Sequence, residues 1–240
     1  MGSLKNGRVV VVGGSSGIGL ATAKHLHDVG GRVVIASRSL AKLEKAEQAI
    51  GKPIEKHPLD VTSEPEVADF FERIGAFDHL VVTSAGVAVA PFLEMKIEAA
   101  KQFFESKFWG AYRLAYYGAR RISKEGSITF ISGAASHRAA PTLAAGSAIN
   151  AALEALGRTL AVELAPIRVN TIAPGLIETP VWNDFMTEEA KQGFFADASA
   201  KLPLKRIGKG EDIARAVQHM IENTYTTGSV LVVDGGYLQV

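Results

Sequence analysis

The sequence contains no cysteine. That excludes a disulfide framework, a thiol nucleophile and any thiolate metal site. Charge of one sign is also missing: 26 Lys and Arg stand against 25 Asp and Glu, a formal net charge of +1. Such a balance gives no electrostatic case for nucleic acid or an anionic membrane as partner. The six histidines show no ligand spacing of the His-Glu-x-x-His kind, so no metal site is expected. No apolar run approaches the ~20 residues that span a bilayer. The segment Met1-Gly2-Ser3-Leu4-Lys5-Asn6-Gly7 lacks the apolar core of a signal peptide. A soluble, cytoplasmic protein is expected. Repeats, low-complexity segments and linkers are absent too, and 240 residues suit one large α/β domain.

What is present is apolar and alternating. Hydrophobic residues make up 47% of the chain and charged ones 21%, with a mean hydropathy of +0.13, so a sizeable core is available. The chain is organised around Arg8 to Leu20. Four valines, Val9 to Val12, form a run suited to a strand buried on both faces. A glycine-rich turn follows, Gly13-Gly14-Ser15-Ser16-Gly17-Ile18-Gly19, and then a helical pattern from Leu20. Strand, glycine turn and helix make the first unit of a dinucleotide-binding fold. Gly13 allows the tight turn, Gly17 lets the backbone approach a pyrophosphate, and Gly19 lets helix and sheet pack closely. The helix N-terminus offers free N–H groups to phosphates. A tight turn in any α/β protein is the plainer reading of this stretch alone.

Further apolar strands are expected at Arg32–Ala36, Asp78–Thr83, Ser127–Ile131, Ile167–Ile172 and Ser229–Val233. Helices are expected at Ser39–Ile50, Ile97–Ile122, Leu143–Leu164 and Gly210–Asn223. The alternation predicts a doubly wound parallel sheet with helices on both faces, a single Rossmann-type α/β domain.

Several ordered motifs resemble the short-chain dehydrogenase/reductase family over nearly the whole chain. The family's Thr-Gly-x-x-x-Gly-x-Gly stands here as Val12-Gly13-Gly14-Ser15-Ser16-Gly17-Ile18-Gly19. Its Asn-Asn-Ala-Gly resembles Thr83-Ser84-Ala85-Gly86. Its Pro-Gly motif resembles Ala173-Pro174-Gly175-Leu176-Ile177-Glu178-Thr179, and its C-terminal Asp-Gly-Gly resembles Asp234-Gly235-Gly236. The resemblance implies dinucleotide contacts from these segments. It also implies an adenine pocket at Asp60-Val61, where a turn cap is the simpler alternative. Thr179 resembles the residue that bonds the nicotinamide amide, and a helix-capping or turn hydroxyl is its equal alternative.

The second strand ends Ala36-Ser37-Arg38-Ser39 without the acid that selects NAD through its ribose hydroxyls. Arg38, flanked by Ser37 and Ser39, suits a 2′-phosphate. NADP(H) is therefore the expected cofactor, with a solvated loop arginine as the plainer reading of Arg38.

The family's chemistry rests on a serine, a tyrosine, a lysine four residues later, and an asparagine on the preceding long helix. Here Gly146-Ser147-Ala148-Ile149-Asn150-Ala151-Ala152-Leu153 aligns with the family's Tyr-x-Ala-Ser-Lys-Ala-Ala-Leu. The tyrosine position is Gly146 and the lysine position is Asn150. No tyrosine occurs between Tyr117 and Tyr225. The serine position, thirteen residues before Gly146, is Gly133. Ser132 precedes it and should point to the opposite strand face. The asparagine position is Lys107.

Two readings of function remain. The first is an atypical NADPH-dependent oxidoreductase that passes hydride to an electrophilic carbonyl or quinone, whose anion is stabilised by delocalisation. Lys107, His137 and Ser132 are its candidate catalytic residues: Lys107 for positive charge, His137 for a proton, Ser132 more weakly, as is Ser147. The second is a catalytically inactive NADP(H)-binding regulator or scaffold. Asn150 is expected at the cofactor in either. A substrate lid is expected around residues 181–205, where Trp182, Phe185, Met186, Phe194 and Phe195 suit a flat apolar small molecule. The resemblance implies a homodimer or homotetramer, built on the two long helices with small residues such as Ala144, Ala148 and Ala151.

Overall fold

The structure is a computed structural model that describes residues 4–83 and 89–240. Its first strand, β1 (Arg8–Val12), explains the layering. Alternate side chains of a strand point to opposite faces. Val10 and Val12 join a core with Phe70, Phe71, Leu80 and Leu114. Val9 and Val11 join a second core with Leu26, Ile35, Leu43, Ile213 and Val217. One all-valine strand thus buries both its faces.

The other strands are β2 (Arg32–Ser37), β3 (Glu55–Pro58), β4 (Phe77–Val82), β5 (Ile122–Ile131), β6 (Arg168–Pro174) and β7 (Val230–Val233). They form one parallel sheet in the order β3-β2-β1-β4-β5-β6-β7. The helices are α1 (Gly17–Asp28), α2 (Leu40–Ile50), α3 (Glu64–Ile74), α4 (Ile97–Phe104), α5 (Gly110–Gly118), α6 (Ala144–Glu163), α7 (Glu188–Lys201) and α8 (Gly210–Glu222). The expected doubly wound Rossmann-type fold is the fold observed. Strand order reverses between β1 and β4, and such a switch point leaves a crevice at the carboxyl ends of the strands. None of the described helices is long and apolar enough to cross a membrane.

The structure adds one strand and corrects one expected helix. The strand β3 was invisible to an apolar-run criterion because Glu55-Lys56-His57-Pro58 is polar; it is an edge strand, held by pairing with β2 alone. The helix expected over Ile97–Ile122 ends at Gly118, and Ile122 opens β5. Between α4 and α5 the same helical rod winds as a π-turn over Glu105–Trp109. The lid region is a 3₁₀ turn, Pro180–Asp184, followed by α7, in which no residue is fully buried.

Candidate active site and dinucleotide cradle

The cradle lies at the switch point. The turn after β1 needs glycine for a measurable reason: a Cβ on Gly19 would sit 2.1 Å from the Gly13 carbonyl oxygen, and Gly17 holds φ +51°. Thr179 closes over this turn, its side-chain carbons 3.3 Å from where a Gly17 Cβ would be. The loop Pro174–Thr179 and the glycine turn are thus brought together. Ser16 is the N-cap of α1, yet its hydroxyl makes no capping bond, and the first turn of α1 carries no acidic side chain. The N-terminus of α1 is left free for an anion. Ser15 and Ile18 are half-buried in the same turn, and Ile18 packs on the core beneath it.

The end of β2 forms the outer wall. The Ser37 hydroxyl is shut off from solvent and has no partner among the described residues. Arg38 is exposed. Ser39 is committed elsewhere, its hydroxyl accepting from the Lys42 N–H at 3.3 Å as the cap of α2. The Asp60 carboxylate accepts from the Thr62 N–H and hydroxyl, at 2.9 and 2.8 Å. Those bonds, led by the backbone one, hold its carboxyl below the usual range, with Arg38 adding a Coulombic share. These bonds make Asp60 the cap of its turn. Val61 is buried in the core. Ser84, Ala85 and Gly86 lie outside the described residues; just before them the Thr83 hydroxyl donates to the Val12 carbonyl at 2.9 Å.

The candidate catalytic residues split into two connected groups. Lys107 sits on the π-turn and is buried. Its ammonium donates to Asn150 Oδ1 at 2.7 Å and to the Ser132 carbonyl at 3.3 Å. The Phe103 ring lies 5.9 Å from its Nζ. Burial pulls the Lys107 amine down to about 8, with no carboxylate contributing. Asn150 is buried on α6, and its amide also explains Gly133: a Cβ there would lie 2.8 Å from Asn150 Nδ2. Gly146 is different, because a Cβ there meets nothing closer than Phe103 Cε1 at 4.0 Å. Among the described residues, the space a Cβ would take at Gly133 is filled by the Asn150 amide, and that at Gly146 is open.

Ser132 and His137 belong to the second group. The Ser132 hydroxyl donates to Glu154 Oε1 at 3.0 Å on α6, the helix whose Asn150 a Gly133 Cβ would meet, so the expected turn to the opposite face is not seen: Ser132 lies just past the end of β5. The Ser136 hydroxyl donates to the same oxygen at 2.6 Å, and His137 Nε2 lies 3.1 Å from Glu154 Oε2. Glu154 is buried on α6, one turn beyond Asn150. Sequence reasoning missed it. Its signal was present: Asn150 and Glu154 are the two polar side chains on the otherwise apolar or small buried face of α6.

Two recesses meet along the segment 140–142. One, of about 500 Å³, is lined by Trp182, Phe185, Met186 and Phe194 with Pro141, Leu143, Leu176 and Tyr237, and Asp197 and Lys201 add charge to an otherwise apolar wall. The Trp182 ring packs on Phe194 and Phe195 at 5.3 and 5.6 Å, and its Nε1–H donates to the Ile177 carbonyl at 2.8 Å. The other recess, of about 530 Å³, is lined by Ser136, His137, Arg138, Ser147 and Phe92. Both share Ala140, Pro141 and Thr142. The structure thus places His137 in a neighbouring recess and does not bring it into the apolar one.

Known proteins carry the same frame. The model of the family described as enoyl-(acyl carrier protein) reductase matches residues 12–238. Carbonyl reductase family member 4 of Danio rerio is 34% identical, over 95% of this chain and 96% of that protein. The crystal structure of a small-chain dehydrogenase in complex with NADPH superposes with a TM-score of 0.86 at 38% identity, covering 98% of this chain and all of that one. The NADPH-bound short chain oxidoreductase of Pseudomonas aeruginosa PAO1, described as containing an atypical catalytic center, superposes with a TM-score of 0.89 at 30% identity, covering 96% of each chain. From the glycine turn to the C-terminal Asp-Gly-Gly, this chain belongs to the short-chain dehydrogenase/reductase family.

Proposed function

We propose that this protein is an NADPH-dependent reductase of electrophilic carbonyl compounds or quinones, in which Lys107 supplies the charge that the family's tyrosine and serine usually control. The observation that carries this reading is the buried Lys107 ammonium bonded to Asn150 at 2.7 Å. By the family resemblance, lysine stands in the asparagine position and asparagine in the lysine position. The two residue types are exchanged across the site, and they still touch.

The cradle fits NADP(H). The glycine turn and the free N-terminus of α1 suit the pyrophosphate, Arg38 and the orphaned Ser37 hydroxyl suit a 2′-phosphate, and Thr179 lies against the turn. Gly13, Ser15, Ser16, Ile18, Asp60, Val61, Pro174, Gly175 and Ile177 form the surrounding wall, and Ser84 to Gly86 belong to it by resemblance. When bound, the dinucleotide supplies a hydride. The protein's residues do the rest. With Oδ1 taken by Lys107, the Asn150 amide offers its N–H groups to a ribose hydroxyl. Lys107 remains an ammonium at pH 7 by about ten to one, given its value near 8. A positive charge held in a low-dielectric site stabilises a developing oxyanion far better than one in water.

The charge also selects substrates. An acceptor whose anion is delocalised needs no strong acid at the moment of reaction. A simple ketone does need one, and Gly133 and Gly146 carry no hydroxyl. A cationic acceptor is repelled by Lys107. The apolar recess beneath the segment 181–205 suits a flat ring, with that segment as its lid. Exposed Trp109, Tyr112 and Tyr116 support self-association into a dimer or tetramer.

Those same two glycines favour the second reading, a nucleotide-binding regulator without turnover. Consumption of NADPH against a panel of quinones, dicarbonyls and simple ketones separates the two. Turnover restricted to the first two classes supports the reductase; tight NADPH binding without turnover on any member supports the regulator.

A further inference from the structure

We infer that Glu154 is a positioning residue that fixes the His137 imidazole, and that the pair is a proton-handling subsite for a hydroxyl or carbonyl oxygen bound in the second recess. The inference rests on the reductase reading above. It starts from a buried carboxylate. Glu154 has a side chain only 5% exposed, and among the described residues three donors converge on it: Ser132 Oγ, Ser136 Oγ and His137 Nε2. A buried carboxylate is costly unless its oxygens are satisfied. Here the two hydroxyls satisfy Oε1, which leaves Oε2 to His137 at 3.1 Å.

A Glu154 carboxylate that accepts through both oxygens requires the ring hydrogen on Nε2. Nδ1 has no partner among the described residues. The ring is about one-third exposed and lines the second recess. A carboxylate that holds one imidazole nitrogen while the other faces a ligand is the arrangement that moves protons in hydrolytic triads. Arg138 is the charged neighbour, and it is already tied to Tyr237, donating to its carbonyl at 2.6 Å with the guanidinium 4.5 Å from its ring. Lys107 is held on the far side of Ser132 by its carbonyl.

The subsite also has a place in the reaction. The recess includes Ser147, next to Gly146, where the family's acid is missing, and it shares Ala140, Pro141 and Thr142 with the apolar recess. In the reductive direction the proton leaves Nδ1 of the imidazolium for the product oxygen, and water recharges the ring. In the oxidative direction Nδ1 accepts the hydroxyl proton and releases it to water. The hydride in each direction belongs to the bound dinucleotide.

The test uses the NADPH-loaded protein. The ¹⁵N and ¹H shifts of the His137 ring report its tautomer whether or not turnover occurs. The wild type is expected to show hydrogen on Nε2. Glu154→Gln is expected to mix the tautomers and lower kcat at least tenfold with NADPH affinity unchanged, and Glu154→Asp to recover part of both. His137→Ala, at a partly exposed position, is expected to fold and to lose the same factor in kcat. A wild-type ring with hydrogen on Nδ1, or a His137→Ala variant with full turnover, overturns the inference. If Glu154→Gln fails to fold, the wild-type spectrum and His137→Ala decide alone. A wild type inert toward every acceptor overturns the reductase reading and proton handling with it, while the spectrum still judges the Glu154–His137 lock.

Discussion

The Lys107 ammonium donates to Asn150 Oδ1 at 2.7 Å, joining the π-turn between α4 and α5 to the buried face of α6. A lone buried cation is an expensive thing to keep. Among the described residues Lys107 has no carboxylate beside it, and desolvation moves its amine. Such a group suits a site that needs positive charge where charge develops.

Lys107→Met is expected to lose function without losing stability. The native amine sits near 8 against an ordinary 10.5. The native state therefore binds fewer protons than the unfolded chain between those values. Stability should rise with pH across that window, because the unfolded state holds the extra proton. Below pH 8 the full penalty of about 3 kcal/mol is present. Lys107→Met removes it, and the orphaned Asn150 oxygen costs about 1–3 kcal/mol in return. Denaturant melts at pH 7 should place the variant within about 2 kcal/mol of wild type, and the rise between pH 8 and 10.5 should vanish.

Gly133 and Gly146 should respond oppositely to a methyl group. At Gly133 the new Cβ lies 2.8 Å from an Asn150 amide that Lys107 holds in place. Gly133→Ala should cost about 1–3 kcal/mol as overpacking, and it should weaken the Lys107–Asn150 contact. At Gly146, inside α6, the nearest atom is 4.0 Å away. Gly146→Ala should stabilise the helix by about 0.5–1 kcal/mol. Paired melts of the two variants check both signs.

Arg38→Asp should change cofactor preference. It removes the guanidinium and places an acid beside the ribose hydroxyls. Loss of a charged hydrogen bond of about 1.5–3 kcal/mol corresponds to roughly ten- to a hundredfold weaker NADPH binding. Fluorescence titration should show that loss together with equal or tighter NADH binding.

His79 should make the fold acid-sensitive. It is buried, with Nδ1 2.9 Å from Ser127 Oγ, and burial pulls its imidazole down to about 4. Between pH 6.5 and 4 the unfolded chain binds a proton that the native state refuses. Stability should fall as pH drops through that range, by up to about 3 kcal/mol from this group. Urea melts of wild type and His79→Phe should diverge there and run parallel above pH 7.

Much of this was written in local sequence. Val9 to Val12 could be read as a doubly buried strand because every position is apolar, and the glycine turn followed it directly. The strand β3 was not legible, since its place depends on pairing with β2 and no side-chain pattern records that. The resemblance of the Gly146 and Asn150 positions to the family's tyrosine and lysine was read from register alone. That Asn150 and Lys107 touch was not legible, because the residues lie 43 positions apart and meet only across α6 and the π-turn. Glu154 stayed hidden in an alanine-rich helix, because its partners Ser132, Ser136 and His137 come from the segment after β5.

The most direct test of the account is NADPH consumption by wild type and Lys107→Met, with quinones and simple ketones side by side and NADPH binding measured on the same samples. Wild type should turn over quinones but not simple ketones, with a decline above about pH 8 as Lys107 loses its proton. Lys107→Met should lose roughly a hundredfold or more in kcat, the scale of one oxyanion-stabilising group, with NADPH affinity retained. A Lys107→Met variant as active as wild type would contradict the account, as would a wild type that binds NADPH tightly and reduces none of the acceptors.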